Sequence, residues 1–264
     1  MIDAFIIKLI LSFVVGSSWV TITTIIAEKF GSKIGGLVGG LPSTSAIMLF
    51  FVAITQNIDS AVSATTMLPL FYCFNAVFLI LFALLAKKGL GISFFSSIFA
   101  WGLLAAILVW SKYNNFVVAL ISWIITLILT IYIFEKKIKL KSHKKVKIKY
   151  TTKQIFFRAF LSGAIICLGV FLAKLGGPIY GAVFAAFPAM FCSTLIISYL
   201  SSGYKFARSL TKSLGISGMI NIPIYSLAVR YTYPLFGILF GTIVSLLMSV
   251  FFGYITFNIL KKMM

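Results

Sequence analysis

Two pairs of residues recur at one spacing of 146 positions: Pro42 with Pro188, and Asn75 with Asn221. Both prolines follow runs of glycine and alanine, IGGLVGGLP and PIYGAVFAAFP, inside stretches long enough to cross a bilayer. Proline has no amide hydrogen and its ring clashes with the preceding turn, so a helix kinks or breaks there. Non-helical backbone at membrane depth persists only where protein buries it or a wet cavity is lined by it. Ser43, Thr44 and Ser45 flank the first break, whereas the second has no hydroxyl until Ser193 and Thr194. Together with amides at the start of a half-helix, where partial positive charge gathers, these groups have the chemistry to replace a solute's water. Asparagine in hydrocarbon is costly unless hydrogen-bonded, so Asn75 and Asn221 should face the interior of the bundle. Lys8 and Arg158, each about one turn from a membrane face, are candidates for steering anions inward.

Each of these groups also has a plainer reading. The prolines can serve as packing kinks, and Gly35, Gly36, Gly39 and Gly40 can let helices approach closely. The asparagine amides can bond carbonyls that a neighbouring proline frees, and the two basic side chains can snorkel to headgroups. What the spans lack matters as much. The four acidic residues, Asp3, Glu28, Asp59 and Glu135, all flank apolar segments, which argues against a carboxylate proton relay or an acid/base enzyme. His143, the single histidine, falls in a lysine-rich linker, and Cys73, Cys167 and Cys192 lie in apolar runs without a CxxC pattern. Neither a metal, a cofactor nor a catalytic residue is expected.

The elements that must position these residues are apolar helices. Hydrophobic residues make up 61% of the 264 and charged residues 10%, with a mean hydropathy of +1.11. That composition specifies an all-α integral membrane protein. Nine segments approach bilayer length: 4–27, 34–54, 61–86, 92–110, 116–134, 155–173, 178–200, 206–229 and 233–260. The first is longer than a cleavable signal core and reads as a retained helix. Nine lysines fall between Lys136 and Lys153, and placing that linker in the cytoplasm puts eighteen of the 23 basic residues on the same side. The positive-inside rule then gives a multi-pass protein of the inner or plasma membrane, with its N-terminus outside and its C-terminus inside. The linker should lie along anionic lipid headgroups, which explains the net charge of +19 without nucleic acid.

At the offset of 146, thirteen identities recur over residues 31–94, where composition alone gives about five. They include Gly31/Gly177, Gly35/Gly181 and Gly91/Gly237 besides the two pairs above. The expected organisation is a first four-helix repeat over 1–111, a linker helix and basic loop over 112–154, and a second four-helix repeat over 155–264. One intervening span makes the second repeat enter the membrane from the opposite side. Inverted repeats with broken helices meeting at the midplane are a recurring plan of secondary transporters.

Three stretches of the first repeat, IGGLVGGLPSTSAI (34–47), SATTMLPLFY (63–72) and AWGLLAAILV (100–109), resemble the GlpM-like bacterial inner-membrane proteins. The resemblance covers about the first 110 residues and implies a small four-helix unit, here as a fused tandem; it supplies no substrate and no catalytic residue. The function expected is carrier-type transport of a small polar or anionic solute, free or lipid-linked. The alternative is a non-transporting scaffold that binds lipid or a protein partner through Lys136 to Lys153.

Overall fold

The computed structural model describes residues 2–39, 42–138 and 150–263. All regular structure among them is helical: α1 (Ile2–Gly39), α2 (Ser43–Thr55), α3 (Ile58–Thr65), α4 (Leu68–Leu85), α5 (Leu90–Trp110), α6 (Phe116–Tyr132), α7 (Thr152–Gly176), α8 (Pro178–Ala186) and α9 (Ala189–Met263). Two glycines in the left-handed region, Gly203 (φ 78°) and Gly237 (φ 73°), divide α9 into segments 189–202, 204–236 and 238–263. Only glycine adopts that backbone without strain. Gly89 (φ 110°) and Gly177 (φ 91°) turn the chain in the same way before α5 and α8. Polar caps set other starts: Asn57 and Asn115 accept from the amides of Ser60 and Val118, and Thr151 forms a reciprocal capping box with Gln154.

The six prolines fall into three uses. Pro69 and Pro178 occupy the first turns of α4 and α8, where a missing amide hydrogen costs nothing. Pro42 and Pro188 stand at breaks: α2 begins directly after Pro42, and Phe187 (φ −55°, ψ 130°) takes the extended form required before a proline. Pro223 and Pro234 lie within segment 204–236. Pro223 leaves the Met219 carbonyl without its helical donor, and Trp123 Nε1 on α6 supplies one at 2.5 Å. In lipid no water can do this, so a distant side chain has to.

Six helices among the described residues are long and apolar enough to cross a membrane: 4–26, 68–88, 90–110, 116–137, 152–176 and the run 178–255. The nine expected segments are not recovered as nine separate helices. The last three follow one another with no loop between them, parted only at Gly203 and Gly237 where the backbone leaves helical geometry. The third is cut at Thr66 and Met67, where the Arg230 guanidinium donates to Thr66 Oγ1 at 3.0 Å and Val62 O at 3.5 Å, over the Phe116 ring. The second is cut at Pro42; the adjoining Gly40 and Leu41 of the expected break, like most of the lysine linker, lie outside the described residues.

Helices α1 and α7 pack antiparallel. Phe5 near the start of α1 holds Lys174 Nζ, near the end of α7, 3.6 Å from its ring centre, and Ser17 Oγ donates to Ala159 O at 3.0 Å. They meet at Gly163, where a Cβ would overlap Ser17 Oγ and the Phe13 carbonyl. The core gathers around α4, whose Phe71, Phe78, Leu79 and Phe82 are fully buried. Outward-facing residues on α5, α6 and segment 238–263, such as Phe95, Phe99, Ile128, Phe240 and Phe251, are exposed and apolar. Such a surface suits acyl chains. Inside lipid, apolar side chains gain nothing by leaving it, so close packing and interhelical hydrogen bonds hold the helices together.

Candidate functional site

The break before Pro188 shows how the fold handles freed backbone. In a continuous helix Ala185 O and Ala186 O would accept from the amides of Ala189 and Met190, but the chain turns between them. Ala189 N bonds Phe187 O instead, at 2.8 Å. Both carbonyls are capped from the first half of the chain: Ser45 Oγ donates to Ala185 O at 2.6 Å, and Asn75 Nδ2 donates to Ala186 O at 2.9 Å. Tyr72, one turn before Asn75 on α4, places its hydroxyl 3.2 Å from Ser45 Oγ. Since Ser45 spends its proton on Ala185, Tyr72 is the donor. Asn75 Oδ1 has no partner among the described residues although the side chain is buried. Phe187, at the turn, packs its ring edge-on against Trp101 of α5, with centroids 5.2 Å apart.

Around Pro42 the geometry matches over the part that is described. Ala46 N bonds Pro42 O at 2.7 Å, and Cys192 N bonds Pro188 O at 2.8 Å. Pro42, Ser43, Thr44, Ser45 and Pro188 are all buried in the protein. Asn221 is buried too. Its Nδ2 donates to Ser217 Oγ at 3.2 Å, its own carbonyl accepts from Ser249 Oγ, and its amide abuts Gly253. Both asparagines therefore face the interior.

Arg158 forms a second cluster on the far side of the same break. Its side chain is 4% exposed. Nη1 donates to Tyr150 OH and to Thr194 Oγ1, each at 3.1 Å, and Nη2 points at Met190 Sδ at 3.6 Å. The guanidinium also sits 5.0 Å from the Tyr150 ring centre. Lys8 behaves differently: its Nζ donates to Ile54 O at 2.9 Å, in the last turn of α2, where a cation meets the negative end of the helix. Ser193 Oγ donates back to Met190 O within its own helix, at 3.2 Å.

The structure thus brings Ser45 and Asn75 together at Ala185 and Ala186, and Arg158 together with Thr194. It does not join Lys8 to Arg158 in a common role, and the Ser193 hydroxyl is spent on the Met190 carbonyl of its own helix. Tyr72, Tyr150 and Met190 belong to these clusters and were not singled out in the sequence. Tyr72 had a signal, since two polar groups three apart on an apolar helix share a face; Tyr150 and Met190 had none.

A family-model comparison and comparisons with curated proteins and solved structures return no match. The chemistry of the site thus rests on the geometry alone. A cavity of about 330 Å³ opens where α5 and α7 end and α8 begins, lined by Ser63, Met67, Lys112, Asn114, Pro178 and Ala182 among others. Along α8 its lining stops at Ala182, one turn before Ala186. Among the described residues no group of three His, Cys, Asp or Glu is placed to hold a metal. Their one ion pair is Lys212 with Glu135, at 2.6 Å, which ties the turn that follows α6 to segment 204–236.

Proposed function

We propose that the protein is a secondary carrier, moving a small polar or anionic solute, free or lipid-linked, by alternating access between two inverted four-helix repeats. The observation that carries this reading is the Pro188 break: its carbonyls are held by Ser45 and Asn75 of the first half. Two hydrogen bonds that join the halves at mid-span make a latch that can open as the halves rock. Helix starts support the repeat. Ser43 and Ala189, and Ile58 and residue 204, are each 146 apart, the offset of the sequence identities. The antiparallel pairing of α1 with α7 is what inversion requires. In this reading the nine spans of the tandem include the three segments of α9, and the first repeat corresponds to the GlpM-like unit. The cytoplasmic lysines, Lys136 to Lys153, rest on anionic headgroups and fix the orientation.

The cavity at Lys112 is then the vestibule on one face, and the Arg158 cluster lies on the other side of the latch. Ser43, Thr44, Thr194 and Asn221 line the path that opens between them. The competing scaffold reading draws support from the tight packing at the break, and one experiment separates the two. With Cys73, Cys167 and Cys192 replaced, Ala182→Cys and Thr194→Cys are labelled with a membrane-impermeant maleimide from each face. A carrier exchanges reactivity between the two positions when Ser45→Ala weakens the latch, one rising as the other falls. Labelling that stays unchanged at both positions identifies a scaffold.

A further inference from the structure

We infer that Arg158 is the recognition residue for an oxyanion, a carboxylate or phosphate group that presents two oxygens to its guanidinium. The inference deepens the carrier reading and rests on it for the site's place on a transport path. Arginine stays charged at any pH a cell reaches. A buried charge is tolerated when a counter-charge or a full set of hydrogen bonds compensates it. Here every partner is neutral: two hydroxyls and a thioether. No described carboxylate reaches the group, and Nε–H is buried without any acceptor. Of five N–H donors, three have partners; Nε–H and one Nη2–H remain for a bidentate ligand.

The surroundings point the same way. Met190 and Thr194 belong to the first two turns of segment 189–202, whose amide end carries partial positive charge. An anion on the free guanidinium edge would meet that end as well. Met190, whose Sδ lies 3.6 Å from Nη2, is the neighbour best able to give way, since an unbranched thioether chain rotates easily. Met190 thus occupies the N–H beside the free edge, and Tyr150 and Thr194 hold the guanidinium from Nη1.

The test is equilibrium binding of radiolabelled inorganic phosphate to the full chain purified in dodecyl maltoside, with acetate as competitor. Wild-type protein should bind saturably, Arg158→Gln should bind at least about tenfold more weakly, the scale of one charge-assisted bidentate contact, and Arg158→Lys should fall between. Met190→Ala should tighten binding. Unliganded Arg158→Gln should melt at or above wild type, because an uncompensated charge has gone; a purely structural tie predicts a lower melting temperature with unchanged affinity. Adding phosphatidylglycerol sorts the source of the anion: displacement of phosphate marks a lipid headgroup as the occupant, and retention marks a soluble anion. Absence of saturable binding in wild type, or equal binding in Arg158→Gln, overturns the inference. Should Arg158→Gln fail to fold, Thr194→Ala decides, since it keeps the charge but frees the guanidinium: weaker phosphate binding upholds the inference and unchanged binding overturns it. Binding requires no turnover, so its loss leaves the labelling test of the latch intact, and the reverse holds too.

Discussion

Asn75 on α4 donates its amide to the carbonyl of Ala186, 111 residues further along the chain, at 2.9 Å. One buried bond joins a helix of the first half to the fracture in the second. Removing it should cost about 1–3 kcal/mol, the penalty for a buried carbonyl left unsatisfied. We expect Asn75→Leu to lower the unfolding free energy in detergent by that amount. Asn75→Gln, with a longer amide, should lose less; equal loss for both would show that cavity shape and not the bond is at stake.

Ser45 and Asn75 cap neighbouring carbonyls, so their effects should not add. Ser45→Ala alone should cost about 1–2 kcal/mol, because it strands Ala185 O and leaves the Tyr72 hydroxyl without its acceptor. In a double-mutant cycle with Asn75→Leu the coupling should exceed about 0.5 kcal/mol. A coupling near zero would mean that the two bonds open independently and form no common latch.

Trp123 performs the same service for Pro223 that Asn75 performs at the Pro188 break. Trp123→Phe keeps most of the ring and removes the donor to Met219 O, and should destabilise by about 1–3 kcal/mol. Trp123→Phe combined with Pro223→Ala should recover most of that loss, since alanine restores the helical donor to Met219 O. Thermal unfolding of the three variants checks this.

Lys212 is buried and Glu135 is partly wet, with side-chain exposures of 8% and 27%. Glu135→Gln should therefore cost more than an exposed pair, roughly 1–3 kcal/mol, by leaving the lysine unpaired in a poorly hydrated place. Adding Lys212→Met should restore part of the stability. A double variant no better than the single one would show that Lys212 does not need its partner.

Gly163 lets α1 and α7 touch, and a methyl group there meets both Ser17 Oγ and the Phe13 carbonyl. Gly163→Ala should weaken that pairing, and Ser17→Ala should relieve only part of the strain because the Phe13 carbonyl is backbone. Cysteine cross-linking between Phe5→Cys and Lys174→Cys, which sit together at the far end of the pair, reports whether the helices have moved apart.

Much of this architecture was legible in the residues. The fractures at Pro42 and Pro188 follow from a missing amide hydrogen, and the interior placement of Asn75 and Asn221 follows from the cost of a bare amide in hydrocarbon. The turn at Gly203 falls in the gap between the expected segments 178–200 and 206–229, whereas the interruptions at Gly237 and Thr66 were not read from the sequence. Glycine is common throughout this chain, and composition does not say which one adopts the left-handed backbone. At Thr66 a local cue was present, since Pro69 cannot donate to Thr65 O, and Arg230, 164 residues away, adds a bond to Thr66 Oγ1. Lys8 and Arg158 looked alike by numbering. Their partners differ because Lys8 reaches the carbonyl end of α2 and Arg158 the amide end of segment 189–202, a distinction that spacing does not encode.

The mending of one half's fracture by the other has a consequence for biogenesis. When α4 leaves the ribosome, the carbonyl that Asn75 will bond has not yet been synthesised. The leading half must wait in the bilayer with a dangling amide, and the trailing half arrives with gaps that only its sibling fills. Neither should persist alone. Expressed as two separate polypeptides, they should rescue one another from proteolysis.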